Sequence, residues 1–147
     1  MKILFTRRRH LGSWFIRMVT WSAYSHVDFM IDDVHVLGAT APYGVNVEPT
    51  RNRLAKASKA VVMEIKGVDL DQAKEFAIAQ LGKKYDWTNI IGIYFHRDWQ
   101  KNNAWSCAEL VAATLKASGV QLFDDKFYSR ITPQHLFMLN HPKETIK

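Results

Sequence analysis

Cys107 is the only cysteine among the 147 residues, and its position suits nucleophilic chemistry. It follows Ser106 and precedes apolar residues at helical spacing, such as Leu110 and Val111, so the pattern predicts a helix over residues 107–117 with Ser106 as its N-cap. The free N–H groups and partial positive charge of a helix N-terminus favour a thiolate over a thiol. Cys107 is therefore a candidate nucleophile.

A base is the second requirement, because a lone cysteine is more often only a small buried apolar residue. A neighbouring imidazole can take the thiol proton and stabilise the resulting ion pair. His26 lies at the start of a predicted strand over residues 26–31. If the fold brings that strand against the helix N-terminus, His26 and Cys107 form a nucleophile and base pair.

Length and composition predict one globular domain spanning residues 1–147, with 48% hydrophobic and 23% charged residues. One cysteine excludes an internal disulfide. The six histidines are scattered and show no zinc-ligand spacing, so the sequence identifies neither a metal nor an organic cofactor.

The N-terminal apolar run, Ile3-Leu4-Phe5, is too short for a signal peptide. No stretch approaches the ~20 apolar residues of a membrane span. We therefore expect synthesis in the cytoplasm and no transmembrane segment. The final location, the source organism and the oligomeric state stay open.

The chain carries a formal charge of +6, and its densest basic run is Arg7-Arg8-Arg9-His10. Such a run can contact phosphates or an anionic polymer. A solvated loop is the favoured interpretation. No nucleic-acid fold signature accompanies the charge, so a nucleic-acid partner is not favoured.

The remaining pattern predicts helices and strands that must position these residues. Strands are predicted over residues 2–7, 26–31, 35–40, 44–48 and 59–65. Helices are predicted over residues 11–21, 50–57, 69 or 71 to 81, 86–95, 107–117 and 133–139, with a polar loop over 96–103. The order favours an α+β fold over a βαβ array.

Several segments resemble one superfamily of enzymes. Residues 81–87 (LGKKYDW) and 105–111 (WSCAELV) resemble the cysteine half of the NlpC-type cell-wall peptidase superfamily. Residues 24–31 (YSHVDFMI) look like the strand that carries the family's histidine. In the circularly permuted papain-like hydrolases the histidine half precedes the cysteine half, as it does here. Residues 11–25 and Thr132-Pro133 are also similar to that group.

The resemblance implies a permuted papain-like fold, an antiparallel sheet packed against helices. Cys107 would be the nucleophile, with its backbone N–H as an oxyanion donor, and His26 would be general base and then general acid. Tyr85 would direct its hydroxyl to the oxyanion or the substrate carbonyl. The structural alternatives are a strand histidine bonded to a carbonyl and a tyrosine that fills the core, and Glu109 is interpreted as structural.

The family's third polar residue, which orients the base from the neighbouring strand, has no obvious counterpart. A hairpin turning about Asp32 would set His26 opposite Gly38, which has no side chain. His35 would point to the other face of the sheet. Thr40 would lie on the correct face but two residues away, and a carbonyl or a water is the remaining option.

The sequence therefore predicts a cysteine hydrolase that cleaves an amide, in a cell-wall peptide or a related acyl amide, with an anionic envelope polymer as a possible partner. A lipid acyl hydrolase or transferase is one alternative. A non-catalytic ligand-binding module on the same fold is another, and Gly38 favours it.

Overall fold

The computed structural model describes residues 1–9, 11–86 and 104–147. The strands of these ranges are β1 (Lys2–Arg7), β2 (His26–Met30), β3 (His35–Thr40), β4 (Gly44–Pro49), β5 (Lys59–Glu64), β6 (Lys84–Tyr85), β7 (Ala104–Trp105) and β8 (Lys143–Thr145). The helices are α1 (Leu11–Thr20), α2 (Thr50–Ala55), α3 (Leu70–Ile78), α4 (Cys107–Ala117) and α5 (Pro133–Phe137), with a 3₁₀ helix at Asp125–Arg130.

The main sheet is antiparallel, and its strand order is β4-β3-β2-β1-β5-β8. Helix α4 packs against β2 and β3 near the middle of this sheet. The predicted α+β class, with an antiparallel sheet packed against helices, is confirmed. A second pair, β6 with β7, is parallel and lies directly before α4 in the chain.

The core forms where the apolar sides of the sheet and of α4 meet. Phe5, Phe29 and Leu37 from the strands are fully buried together with Leu110 and Leu115 from α4. Burying a side chain of this size stabilises a fold by about 1.5–3 kcal/mol. The core therefore fixes α4, and with it the position of Cys107, against the strand that begins with His26.

Most predicted elements are present: β1, β3 and α4 have the predicted ends, and the ends of the others differ by up to three residues. The two-residue strands β6 and β7, the strand β8 and the 3₁₀ helix were not expected. β8 is a short exposed edge strand without apolar alternation. The helix predicted over residues 86–95 lies, except for Asp86, outside the described residues, and the loop predicted over 96–103 lies outside them entirely. Among the described residues, no helix is both long enough and apolar enough to span a membrane.

Candidate active site

Cys107 is the first residue of α4, as the sequence predicts. The Ser106 hydroxyl accepts a hydrogen bond from the backbone N–H of Glu109 at 3.3 Å, and the Glu109 carboxylate accepts one from the N–H of Ser106 at 3.5 Å. This reciprocal cap fixes the start of the helix and agrees with the structural interpretation of Glu109. The thiol is free and buried, with 6% of the residue exposed.

His26 begins β2, and Cys107 is close enough to be one of the side-chain hydrogen-bonding influences that raise the pKa of the imidazole. Its Nε2 atom is hydrogen-bonded to the Asp28 carboxylate. The imidazole is 13% exposed. The structure thus brings together the two residues that the sequence pairs as nucleophile and base.

Asp28 supplies the orienting group that the sequence did not identify. His26 Nε2 donates to Asp28 Oδ1 at 2.7 Å, and the aspartate side chain is completely buried. The two residues are two positions apart on β2, so their side chains project from the same face of the sheet. The third group therefore comes from the strand of the base itself and not from the neighbouring strand.

The expected pairing of His26 with Gly38 is wrong. Strand β2 pairs with β3 through Phe29–Leu37 and Met30–Val36, and continuing this register sets Asp28 opposite Gly38. A Cβ atom on Gly38 would overlap the Asp28 carboxylate. The absence of a side chain at Gly38 therefore leaves room for the buried Asp28 carboxylate, and it does not mark the loss of a catalytic side chain.

The other candidates for the third position have different partners. Thr40 Oγ1 donates to Asn46 Oδ1 at 3.5 Å. His35 lies near Asp32 at the exposed end of the hairpin, with Nδ1 3.1 Å from Oδ2, so excluding it was correct.

Arg53 of α2 contacts both oxygens of the Asp28 carboxylate, including the Oδ1 that accepts from His26. Arg53 Nη2 donates to Asp28 Oδ1 at 3.1 Å, and its Nε lies 2.9 Å from Oδ2. A third contact joins Nη1 to Glu48 at 2.8 Å. Arg53 is almost fully buried, so this network is strongly desolvated and fixed in place.

These charges set the protonation of the pair. Burial raises the pKa of Asp28, but the charges of His26 and Arg53 outweigh burial and lower this pKa below its usual value. Burial likewise lowers the pKa of His26, yet the Asp28 carboxylate and the hydrogen bonds to Asp28 and Cys107 raise it to about 9. His26 is therefore an imidazolium at neutral pH.

The parallel pairing of β6 with β7 positions Tyr85 near the start of α4. Its register partner is Trp105, two residues before Cys107, so β6 lies beside the start of α4. Burial, followed by the charges of Cys107 and Asp86, raises the pKa of Tyr85 well above its ordinary value. The hydroxyl keeps its proton through the neutral range and can act as a donor.

His26 and Tyr85 line a cavity of about 550 Å³, whereas Cys107 is not among its lining residues. Its apolar wall comes from α1 and the loop after β3, and includes Phe15, Ile16, Ala41 and Pro42. Its polar lining includes Arg8, Ser13, Ser25, Thr40 and Arg53. A carbonyl in this cavity would meet an imidazolium, a phenol and an apolar surface.

Three residues of this site were missed by the sequence interpretation. The signal for Asp28 was its spacing of two from His26 on one strand. Arg8 was interpreted as part of a solvated loop, whereas it is partly buried and lines the cavity. Arg53 carried no local signal, because only the tertiary structure brings α2 to β2.

A comparison with models of protein families found no match. A comparison with curated protein sequences also found none. Among solved structures, the chain is similar to the metalloprotein yiiX from Escherichia coli, with a TM-score of 0.72 and 18% sequence identity over 99% of this chain and 94% of that chain. At this identity the likeness shows the fold alone.

That protein is described as a metalloprotein, which raises the question of whether the donors here could hold a metal ion. Within residues 1–9, 11–86 and 104–147, no three His, Cys, Asp or Glu side chains form a group that could hold a metal ion. Asp28 is paired with a guanidinium and His26 with Asp28, and both positive charges oppose a bound cation. These residues do not fit a metal centre at Cys107.

Proposed function

We propose that this chain is a cysteine hydrolase on a circularly permuted papain-like (NlpC-type) fold, which cleaves an amide bond of a cell-wall peptide or a related acyl amide. One observation carries the proposal: the Cys107 thiol at a helix N-terminus contacts an imidazole that a buried aspartate orients. The histidine strand precedes the cysteine helix in the chain, which agrees with the permuted order.

The protonation of His26 suggests how the reaction starts. With a pKa of about 9, His26 carries a proton at neutral pH and faces the sulfur as a cation. An imidazolium beside the sulfur stabilises the thiolate form as an ion pair. His26 therefore acts first as general acid, and as general base only in the second half of the reaction.

The chemical steps follow from this pair. The Cys107 sulfur attacks the carbonyl carbon, and the negative charge that forms on oxygen meets the Cys107 N–H and the Tyr85 hydroxyl. The C–N bond breaks as His26 gives its proton to the nitrogen, which leaves an amine and a thioester on Cys107. Water then attacks the thioester while neutral His26 takes its proton, the C–S bond breaks, and the acid departs.

The cavity suggests what the substrate carries. Arg8 places a cation in the lining, which suits an anionic group such as a carboxylate or a phosphate. The apolar wall that contains Phe15 and Pro42 suits an aliphatic acyl portion. An acyl amide with a nearby negative charge would satisfy both.

Alkylation of the single thiol tests the pair directly. We expect iodoacetamide to modify the wild type at least about tenfold faster at pH 7 than it modifies His26→Ala, because the imidazolium stabilises the thiolate. The matched control is His35→Ala, which removes the exposed histidine of the same hairpin. Equal rates in the wild type and in His26→Ala, measured by mass spectrometry, would contradict the pair.

Turnover requires a second readout. Peptidoglycan fragments and synthetic acyl amides are incubated with the wild type and with Cys107→Ala, and the intact protein is weighed for a thioester adduct. We expect an adduct on the wild type only. Fast alkylation without any adduct would keep the thiol pair and reject these substrates.

A binding module is the second candidate, and the low exposure of Cys107 favours it. In that case a ligand would fill the cavity without reacting. Gly38 no longer supports this alternative, because Asp28 supplies the orienting group. A ligand that binds equally well to the wild type and to Cys107→Ala, and is recovered unchanged, would establish the binding module.

A further inference from the structure

Helix α1 exposes its apolar residues. Leu11, Trp14, Phe15 and Met18 are all exposed, and Trp21 follows directly after the helix. The exposed fraction of these five residues ranges from 45% for Phe15 to 90% for Trp21. Scattered apolar residues are common on protein surfaces, but five large ones within eleven positions form a patch.

The apolar stripe of α1 faces solvent, whereas the stripe of a typical amphipathic helix faces the core. At 3.6 residues per turn, the four exposed apolar residues of α1 fall in an arc of about 100°, and Ser13 lies about 150° from the centre of this arc. Ser13 is buried, and its hydroxyl donates to Ser25 Oγ at 2.7 Å. A stripe of this width normally faces the core. Here the stripe faces outward, while the inward side carries the buried Ser13 and the half-buried Ile16.

The charged side chains around this patch are all positive. Residues 1–27 contain Lys2 and four arginines but no aspartate or glutamate. Arg8, Arg9 and Arg17 line one open depression together with Leu11 and Trp14. Guanidinium groups are thus placed beside the exposed apolar side chains.

We infer that α1, with Arg8, Arg9 and Arg17, is a docking surface for an anionic phospholipid bilayer. Apolar side chains from such a helix insert at the boundary of headgroups and acyl chains, and flanking arginines pair with lipid phosphates. Tryptophan suits this boundary because its ring is apolar while its N–H is polar. The uniform positive charge selects a negatively charged lipid surface over a second copy of this equally basic chain.

Trp21 gives independent support. Its φ is 50°, a left-handed conformation that is unfavourable for a bulky residue, and its side chain is almost wholly in solvent. Neither backbone preference nor burial accounts for a tryptophan at this position, and insertion into a lipid interface would. An asparagine would adopt this conformation more readily.

Docking by α1 would also place the cavity near the lipid. Phe15 belongs to the exposed stripe and lines the cavity, and Ile16 lines it from the same helix. The docking surface does not depend on the proposed hydrolysis, because it involves neither Cys107 nor His26.

Vesicle co-sedimentation tests the proposal. We expect the full chain to bind vesicles of phosphatidylcholine and phosphatidylglycerol at least about tenfold more tightly than vesicles of phosphatidylcholine alone, with binding weakened by salt. Trp14→Ser with Trp21→Asn, and separately Arg9→Glu, should each lower binding about tenfold. The matched controls are Met138→Ser and Lys66→Glu, which alter an exposed apolar residue and an exposed lysine elsewhere.

Three results would overturn the docking surface. One is no binding to the charged vesicles, and another is an equal loss in the α1 variants and the controls. The third is a dimer in sedimentation velocity that the double tryptophan variant converts to a monomer, since the patch would then cover a second copy. Alkylation of Cys107 in vesicle-free solution should be unchanged in the tryptophan variant, so the two proposals fail separately.

Discussion

Removing the charge of Asp28 should change the titration of His26 more than any other single substitution. Asp28→Asn keeps the shape of the side chain but removes the carboxylate that accepts from His26 Nε2 at 2.7 Å. The remaining influences named for His26 are burial and the Arg53 charge, which lower its pKa, and the bond to Cys107, which raises it. We expect the pKa of His26 to fall from about 9 to its ordinary value of 6.5 or below.

The size of this change follows from the shift itself. A fall of about 2.5 units corresponds to about 3 kcal/mol of lost preference for the imidazolium. At pH 7 the ring would change from almost fully charged to mostly neutral. Because a charged His26 stabilises the thiolate in the proposed mechanism, alkylation of Cys107 at pH 7 should slow at the same time.

Nitrogen-15 NMR of the histidine rings measures this titration directly, and His26→Gln identifies the signal. Asp32→Asn is the matched control, since it makes the same substitution in the exposed pair with His35. Breaking a buried ion pair costs about 3–5 kcal/mol, so the fold of Asp28→Asn is checked by circular dichroism. A His26 ring that still titrates within one unit of 9 in the folded variant would refute the assignment of Asp28.

Three further predictions concern the same site. The pKa of His26 is raised on folding, so its contribution to the free energy of unfolding is complete below pH 6.5 and is lost as the pH rises through about 9. Denaturant titrations at several pH values should show a loss of up to about 3 kcal/mol in the wild type and not in Asp28→Asn. Gly38→Ala should displace the Asp28 carboxylate and slow alkylation of Cys107, as expected for Asp28→Asn. The double variant Asp28→Gly with Gly38→Asp moves the carboxylate to the facing strand and should restore part of the rate. If Gly38→Ala had no effect, the position of the carboxylate would be unimportant. Tyr85→Phe should lower the rate of thioester formation about 10²–10³-fold if the hydroxyl donates to the oxyanion, with the alkylation rate as the control that should not change.

The local elements were accessible from the sequence because their causes are local. The end points of β1 and α4 follow from apolar spacing and from Ser106, whose capping bonds join residues within one turn. The pairing of His26 with Cys107 came from the order of two motifs in the chain. The α+β class followed from the order of the elements.

The tertiary structure decided the partners of those elements. The register of β2 and β3 depends on the conformation of the turn at Asp32, and a shift of two residues keeps every side chain on its face while changing its neighbour. That shift placed Asp28 opposite Gly38 and explained the glycine. The contact of Arg53 with Asp28 joins two elements that no local pattern connects.

Helix α1 shows most clearly what the sequence determines and what only the tertiary structure decides. Its apolar spacing determines that residues 11–20 form a helix, because the period of the stripe matches the helical turn. The same spacing would fit a helix packed on the core. The exposure of Trp14 and the burial of Ser13 against Ser25 show that the stripe faces outward, since the direction a helix faces is set by what the rest of the fold packs against it.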